Sequence, residues 1–381
     1  VFASYRREWT PEHSTTILYG HTDTRDEFSD PLSPVATINL NDPSLPQIYD
    51  ASIYSEQDFI LNSVEMQHVY QHDRGQLIAG VRAQFGEVDD DTAIRAALGP
   101  QPPFLEPTGI DSVGDVSLQR DFDRQAVYAL YLFDLTEDLT LIGGLGYDRM
   151  NVPDGLQTFP RSGNHRTEEL ITPKLGAVWT PRPELTLRAT AARALGGYSI
   201  EDQLRLEPSS IAGHVVTYGS LIPTQRLGSV PGATIDLVNL SANYHWNSRT
   251  FLSLEAFAGR SDGSRTRGFF IEDASVLLSQ APDQAGEVTV IEREESFDYF
   301  EYALAGSLDH LVTNELSVGI GADWQHAEID QQVTPFPDSV TSIFADDTAA
   351  DLYRAIANAR YQSRAGWFVN AEVQLWWQDN E

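Results

Sequence analysis

Apolar and polar side chains alternate along most of the chain, most clearly in TEELITPKLGAVWTPRPELTLRATAARAL, residues 167–195. In its first half Ile171 and Leu175 share one face, whereas Lys174 lies on the other. The second half, beyond the Pro181–Pro183 link, alternates in the same way and places Arg188 on its polar face. A period of two on both sides of a short polar link predicts a β-hairpin.

The same pattern recurs from one end of the chain to the other. Beside the hairpin above, the predicted strand pairs are 1–9 with 15–24, 59–71 with 76–85, 126–135 with 139–149, 235–246 with 250–260, 297–308 with 315–326, and 352–362 with 367–376. This predicts about fourteen strands of roughly the ten residues that cross a bilayer at a tilt.

The connections between predicted strands alternate in length. Short turns close each pair, and long polar segments join one pair to the next, at 25–56, 87–117, 151–166, 196–233, 261–295 and 329–350. This asymmetry is typical of outer-membrane barrels, with short periplasmic turns and long extracellular loops. We therefore expect an all-β fold: one transmembrane antiparallel up-and-down β-barrel over residues 1–381, as the mature or C-terminal part of a longer protein.

Composition narrows the possibilities further. No apolar run approaches the ~20 residues of a membrane helix, so helical spanning is excluded. The 15 Tyr, 7 Trp and 17 Phe suit aromatic belts at a membrane surface. A formal charge of −31 makes nucleic acid a poor partner. With no cysteine, the chain has neither disulfides nor thiolate metal sites.

Two segments carry a resemblance to known families. ITPKLGAVWTPRPELTLRATAARAL, residues 171–195, resembles the barrel hairpins of TonB-dependent receptors, in which P-x-L-G-x-x-Y/W-x-P precedes L-x-L-R-A. Leu206–Gly213 resembles a segment of barrels that follow periplasmic tetratricopeptide repeats. These resemblances imply a Gram-negative outer-membrane protein. The second also implies a periplasmic repeat domain and a polysaccharide or peptide cargo.

The polar faces of the predicted strands give a set of candidate lumen residues of both charge signs. They would form either a constriction that selects solutes by charge or a packed, self-neutralising interior. The loop 196–232 is predicted to fold inward and narrow the lumen, because it contains Ile211, Val215, Val216, Leu221 and Ile222. The candidate constriction residues are Arg6, Glu65, Arg82, Lys174, Arg188, Glu255, Glu301, Asp323, Arg354, Arg360 and Glu372.

Other candidate chemistry is weak. Asp89, Asp90 and Asp91 offer oxygen ligands for Ca²⁺ or Mg²⁺, but without a calcium-loop spacing. The alternative is a solvated acidic surface that divalent ions bridge to lipopolysaccharide. Gly259–Gly263 matches G-x-S-x-G, but a nucleophile elbow requires a following helix, which this sequence does not predict. We therefore expect no catalytic residues and no enzyme activity.

The sequence thus favours an outer-membrane channel that passes a polar solute or an exported polymer through a charged lumen. The alternative is a surface receptor, for TonB-dependent uptake or adhesion, that captures its ligand with the long acidic loops. The expected partners are outer-membrane lipid, lipopolysaccharide and a periplasmic repeat domain or export machinery.

Overall fold

The chain folds almost entirely into antiparallel β-structure. The computed structural model describes residues 1–39, 47–96, 114–155, 161, 163–197, 205–216, 231–272, 288–334 and 346–380. Among these residues no helix is long and apolar enough to cross a membrane. The strands are β1 (Phe2–Glu8), β2 (His13–Asn39), β3 (Gln47–His72), β4 (Gly75–Ala96), β5 (Gly114–Thr136), β6 (Leu139–Pro153), β7 (His165–Arg182), β8 (Leu185–Leu195), β9 (Ser210–Ile211), β10 (His214–Val215), β11 (Thr234–Asn247), β12 (Thr250–Glu272), β13 (Val288–Leu311), β14 (Leu316–Thr334), β15 (Asp346–Gln362) and β16 (Phe368–Asn380).

The main sheet confirms the predicted topology. It contains 14 strands in sequence order, from β1 through β8 and then from β11 through β16. In the β7–β8 hairpin Trp179 lies opposite Leu187, and Lys174 lies opposite Ala192, so the two predicted faces are kept. The G-x-S-x-G segment, Gly259–Gly263, lies inside β12, which continues as strand to Glu272, so the serine does not open a helix.

The strands are longer than predicted. β2 has 27 residues and β3 has 26, so much of the predicted loop 25–56 is strand. Parts of the predicted loops 87–117, 151–166, 261–295 and 329–350 are strand as well. Beyond the bilayer the outward face meets water, and the inward face buries polar as well as apolar side chains, such as Val88, Asp90 and Thr92. The prediction failed in these parts because it followed the alternation of apolar and polar residues, which is lost there although the ladder continues.

The sheet does not close through its terminal strands. Within the described residues β1 pairs only with β2, and β16 pairs only with β15. The long ends of β2 and β12 instead form a parallel ladder, with Thr37 opposite Phe270. That edge of β12 is available because β11 begins at Thr234, opposite Asp262. The parallel ladder links β2–β8, β11 and β12 into a ring at the long-loop end.

The interior of this ring is packed with apolar side chains. Phe59, Leu61, Phe122 and Met150 are buried in one cluster, and the rings of Phe59 and Phe122 meet edge to face at 6.1 Å. A carboxylate oxygen of Asp154, at the end of β6, accepts hydrogen bonds from the Thr266 backbone and hydroxyl on β12, so side chains meet across the ring. The enclosed face at this level therefore combines an apolar cluster with paired charged side chains, such as Arg124 with Asp148, and strand alternation alone does not reveal this filling.

The outward face carries the apolar band that the sequence predicts to contact lipid. Ile171 and Leu175 are each 61% exposed there. At the short-turn end this band is bordered by aromatic and histidine rings: His13 stacks on Tyr70 at 4.5 Å, and His72 stacks on Tyr131 at 5.8 Å. Rings with a polar edge are typical of the membrane–water interface.

Cross-strand ion pairs border the same band at the long-loop end. We call these residues the outer ion-pair belt: Arg25 with Asp58, Arg149 with Glu169, Arg193 with Asp236, and Arg260 with Asp298. Except in the Arg149 pair, both arms of the arginine fork bind the carboxylate. The belt and the aromatic border thus mark two levels on the outward face, with the apolar band between them.

Candidate functional site

Residues 205–216, which we call the lumen segment, lie across the barrel interior. The segment belongs to the connection between β8 and β11, on the long-loop side. One of its ends contacts β3, β4 and β7, and the other contacts β7, β8 and β11. The prediction that the loop 196–232 folds inward is confirmed for these residues, whereas Leu221 and Ile222 lie outside the described part of the chain.

A two-strand hairpin forms the middle of the lumen segment. β9 and β10 pair antiparallel, with Ile211 opposite His214. The two turn residues have positive φ angles, 51° at Ala212 and 91° at Gly213, the conformation of a tight hairpin turn. Ala212 is the non-glycine residue with positive φ in the described chain, a conformation that costs an alanine about 1 kcal/mol. Its surroundings therefore hold the hairpin in shape.

The first end of the lumen segment is anchored on Glu65. The backbone N–H groups of Leu206 and Glu207 donate to the two Glu65 carboxylate oxygens, at 2.7 and 2.9 Å. The hydroxyl of Tyr128 donates to the same carboxylate at 2.6 Å. The side-chain amide of Gln67 donates to the Leu206 carbonyl at 2.6 Å. The Glu65 carboxylate, although 0% exposed, therefore has a full set of hydrogen-bond donors.

Glu207 itself carries a buried charge. One carboxylate oxygen accepts from Lys174 on β7, and the other lies 3.3 Å from an Arg82 guanidinium nitrogen on β4. All three side chains are at most 7% exposed. Lys174 is the one lysine in the sequence. A carboxylate that reaches this depth needs cationic partners, so the lumen segment and the barrel wall depend on each other electrostatically.

The second end of the lumen segment is held by hydroxyl groups. The Thr190 hydroxyl donates to the Ile211 carbonyl at 2.8 Å and lies 2.9 Å from His214 Nδ1. His214 Nε2 lies 3.0 Å from the Ser241 hydroxyl on β11. A Cβ on Gly176 would lie 2.5 Å from a methyl carbon of Ile211. The wall therefore needs glycine at position 176 for the hairpin to fit.

Most of the other predicted lumen residues lie on the same face of the sheet, outside the lumen segment. Asp323 and Arg354 pair at 2.6 Å, and Glu301 accepts from Tyr299 and Gln325. Arg188 approaches the lumen segment, with its Cδ 3.3 Å from the position of a Cβ on Gly213. The remaining four candidates are exposed: Arg6, Glu255, Arg360 and Glu372. Arg6 lies on the edge strand β1 and pairs with Glu8, and Glu372 lies on the edge strand β16. The structure thus brings Glu65, Arg82, Lys174 and Arg188 to the lumen segment, and a constriction role stays a prediction for the whole set.

The aspartates proposed as metal ligands do not converge. Asp89 and Asp91 are exposed, whereas Asp90 is buried between Arg120 and Arg161, each with a guanidinium nitrogen 3.1 Å from its carboxylate. Burial lowers the pKa of Arg161 to about 10, which still leaves it charged at neutral pH. Two guanidinium groups already neutralise this carboxylate. Within the described residues no group of three His, Asp or Glu side chains could hold a metal ion.

Sequence reasoning missed several contributors to the site. Glu207, Tyr128, Thr190 and His214 carry contacts of the lumen segment but were not singled out. One signal pointed to the first of them: a lone lysine on the inner face of a strand requires a carboxylate, and a glutamate stands in the loop predicted to fold inward.

Comparisons with known proteins found a matching family model and solved structures of similar architecture. The family model described as TonB-dependent receptor-like β-barrel matches residues 2–205. No curated protein matches the chain. Among solved structures, the copper transporter OprC has a TM-score of 0.50 at 12% identity, covering 97% of this chain and 58% of its own. The ferric citrate transporter FecA has a TM-score of 0.48 at 10% identity, covering 98% and 52%. FpvA of P. aeruginosa, bound to heterologous pyoverdines, has a TM-score of 0.46 at 13% identity, covering 98% and 51%.

The chain therefore spans between about half and three fifths of the length of these structures. At 12% identity, the likeness to OprC shows a common fold alone. The family model covers more than half of the residues, and its members are Gram-negative outer-membrane proteins, which agrees with the apolar band and its two borders. The chain belongs to the family of TonB-dependent receptor-like outer-membrane β-barrels.

Proposed function

We propose that this chain forms the wall of an uptake receptor in which the lumen segment closes the passage at rest. The observation that carries the proposal is the buried contact of Glu207 with Lys174 and Arg82, which joins the lumen segment to two wall strands. The family favours this interpretation over the open channel that the charged lumen first indicated.

The physical argument rests on how the charges are solvated. In an open, porin-like channel the charged side chains of the lumen face water. Here Glu65, Arg82 and Lys174 are buried and matched by hydrogen-bond or ion-pair partners from the lumen segment. Separating a buried ion pair without hydrating both groups costs about 3–5 kcal/mol. Opening therefore requires water to enter or an external source of free energy.

Ligand binding would supply one part of that free energy, and a periplasmic partner that pulls on the receptor would supply the other part. We propose the TonB-type energy-transducing system as this partner, because the family is defined by its dependence on it. The ligand would be captured at the long-loop end, above the outer ion-pair belt, where β2–β8, β11 and β12 form the ring.

Conductance in planar lipid bilayers tests the resting state. The purified chain should show no steady conductance between rare openings, because the lumen segment crosses the interior. A variant that lacks residues 205–216, with the loop ends joined by a glycine-serine linker, should conduct steadily. A wild-type chain that is permanently open, with the same conductance as the deletion variant, would contradict the proposal and restore the channel interpretation.

A further inference from the structure

We propose that the outward face of the barrel holds a phospholipid of the periplasmic leaflet, with its acyl chains in a groove over β7–β15 and its anionic headgroup at Arg182 and Arg249. The inference uses the membrane location of the chain but does not depend on the lumen segment or on uptake. It concerns a surface that none of the lumen contacts involves.

The groove is a hollow of about 1100 Å³ in the apolar band. Its floor consists of small side chains at adjacent positions on successive strands, and these leave space beneath the larger neighbours: Ala189, Ala242, Ala256, Gly306 and Ala322. They share the outward face, because the pairing runs from Ala242 to Leu254, from Leu254 to Gly306, and from Gly306 to Ala322. The volume is comparable to the upper end of small-molecule sites, ~1,000 Å³.

Leucine and tryptophan side chains form the walls of the groove. Leu254 and Leu304 are about half exposed, and Trp179 on β7 and Trp377 on β16 stand at the two sides of the hollow. Polar side chains of this region point to the other face of the sheet. An outward apolar hollow in a membrane protein meets hydrocarbon, so its occupant is an acyl chain.

The position of the groove selects the leaflet. Trp179 lies three residues before Arg182, at the short-turn end of β7. The outer ion-pair belt on the same strands, at Asp236 and Arg260, lies beyond the groove on the long-loop side. On β7, β8, β11 and β12 the groove thus lies nearer to the short turns, which face the periplasm. This places a lipid headgroup beside the turns and not beside the belt.

Two exposed arginines supply the charge at that end. Arg182 shares the outward face of Leu185, its partner after a bulge in the β7–β8 ladder, and Arg249 lies in the adjoining β11–β12 turn. Within the described residues neither side chain makes an ion pair, whereas Arg364 at another short turn binds Glu315 at 2.8 Å. Cations next to an apolar surface attract anionic lipids. Arg182 lies three residues beyond Trp179 and Arg249 five residues before Leu254, so both stand past the short-turn edge of the groove, where their charge is complementary to a lipid phosphate.

Native mass spectrometry of the full chain in detergent, with added phosphatidylglycerol or phosphatidylcholine, tests the proposal. The wild type should retain phosphatidylglycerol preferentially. The double variant Arg182→Gln/Arg249→Gln should weaken retention roughly thirtyfold, about 2 kcal/mol. The matched control is Arg74→Gln, which changes an exposed arginine in the short turn between β3 and β4, away from the groove. It should leave retention unchanged.

Filling the groove gives a second, independent test. Ala256→Phe places a ring on the groove floor and should displace the lipid, whereas Ala83→Phe, at an exposed outward position outside the groove, should not. Heat-modifiable gel migration identifies variants that remain folded. Equal loss in the groove and control variants, or equal retention of the two lipids by the wild type, would overturn the proposal. Neither result bears on the resting conductance that tests the uptake receptor.

Discussion

Replacing Lys174 by methionine tests the contact that joins the lumen segment to the barrel wall. Methionine keeps the length and the apolar stem of lysine but removes the charge. In the wild type the four fully buried groups at this contact sum to zero: Glu65, Glu207, Arg82 and Lys174; the half-buried Arg205 adds a weaker attraction to Glu207. The replacement leaves them with one uncompensated negative charge at a site where the Glu207 side chain is 7% exposed.

The magnitude follows from what Glu207 retains. Breaking a buried ion pair by removing one partner costs about 3–5 kcal/mol. Arg82 remains 3.3 Å from the other carboxylate oxygen, so the lower limit applies. The variant escapes this cost when the lumen segment leaves the interior and exposes Glu207 to water, or when Glu207 takes up a proton, and recordings at alkaline pH favour the first route. About 3 kcal/mol then raises the ratio of open to closed barrels roughly 100-fold.

Two measurements detect this shift. Planar-bilayer recordings should show frequent or sustained openings in Lys174→Met, and amide hydrogen exchange should accelerate in residues 205–216. The matched control is the double variant Lys174→Met/Glu207→Gln, in which the remaining buried charges again sum to zero. It should return toward the closed wild type. If the single variant stays closed with unchanged exchange, the ion pair does not hold the lumen segment, and the electrostatic argument is refuted.

Three further substitutions separate steric, electrostatic and packing contributions. Gly176→Leu should expel the β9–β10 hairpin, since even a Cβ there would lie 2.5 Å from Ile211, and bilayer conductance should rise; Gly143→Leu, where nothing lies within 4 Å of a Cβ, should leave it unchanged. Arg188→Leu, made in the open lysine variant, should shift the reversal potential toward cation selectivity with little effect on thermal unfolding; an unchanged reversal potential would exclude Arg188 from the ion path. Phe122→Ala should lower the free energy of unfolding by about 3–5 kcal/mol, measured by a denaturant titration in which gel migration separates folded from unfolded chains. The barrel of this variant should stay closed to ions. A conductance increase in the last variant would mean that the apolar cluster around Phe122 and the lumen segment open together.

The faces and the order of the strands could be predicted because they depend on local rules. Alternation assigns Lys174 and Arg188 to one face and Ile171 to the other, whatever the rest of the chain does. Short turns force consecutive strands to pair, so sheet order follows sequence order. Strand ends above the membrane could not be predicted in this way, since Arg25 and Asp58 pair across strands where the alternation has already lost its apolar face.

The candidate site was half predictable. Lys174 and Glu65 were assigned to the interior from strand periodicity, and the loop between β8 and β11 was expected to fold inward. The partner of the lysine could not be identified, because Glu207 lies 33 residues away and its position depends on the path of an irregular segment. The donors to Glu65 are partly backbone N–H groups, which no side-chain pattern encodes.

The cations of this acidic protein fall into three environments, and their partners distinguish three roles. Lys174 is buried against a loop carboxylate, so its charge holds a movable segment. Arg193 and its counterparts in the outer ion-pair belt bind carboxylates on neighbouring strands and remain about half exposed, so they stabilise little and mark the edge of the apolar band. Arg182 and Arg249 at the short turns have no acidic partner within the described residues, which leaves their charge available to a lipid phosphate. Removing the charge of Lys174 should therefore alter gating, and removing a charge of the outer ion-pair belt should have little effect. Removing the charges of Arg182 and Arg249 should weaken lipid retention.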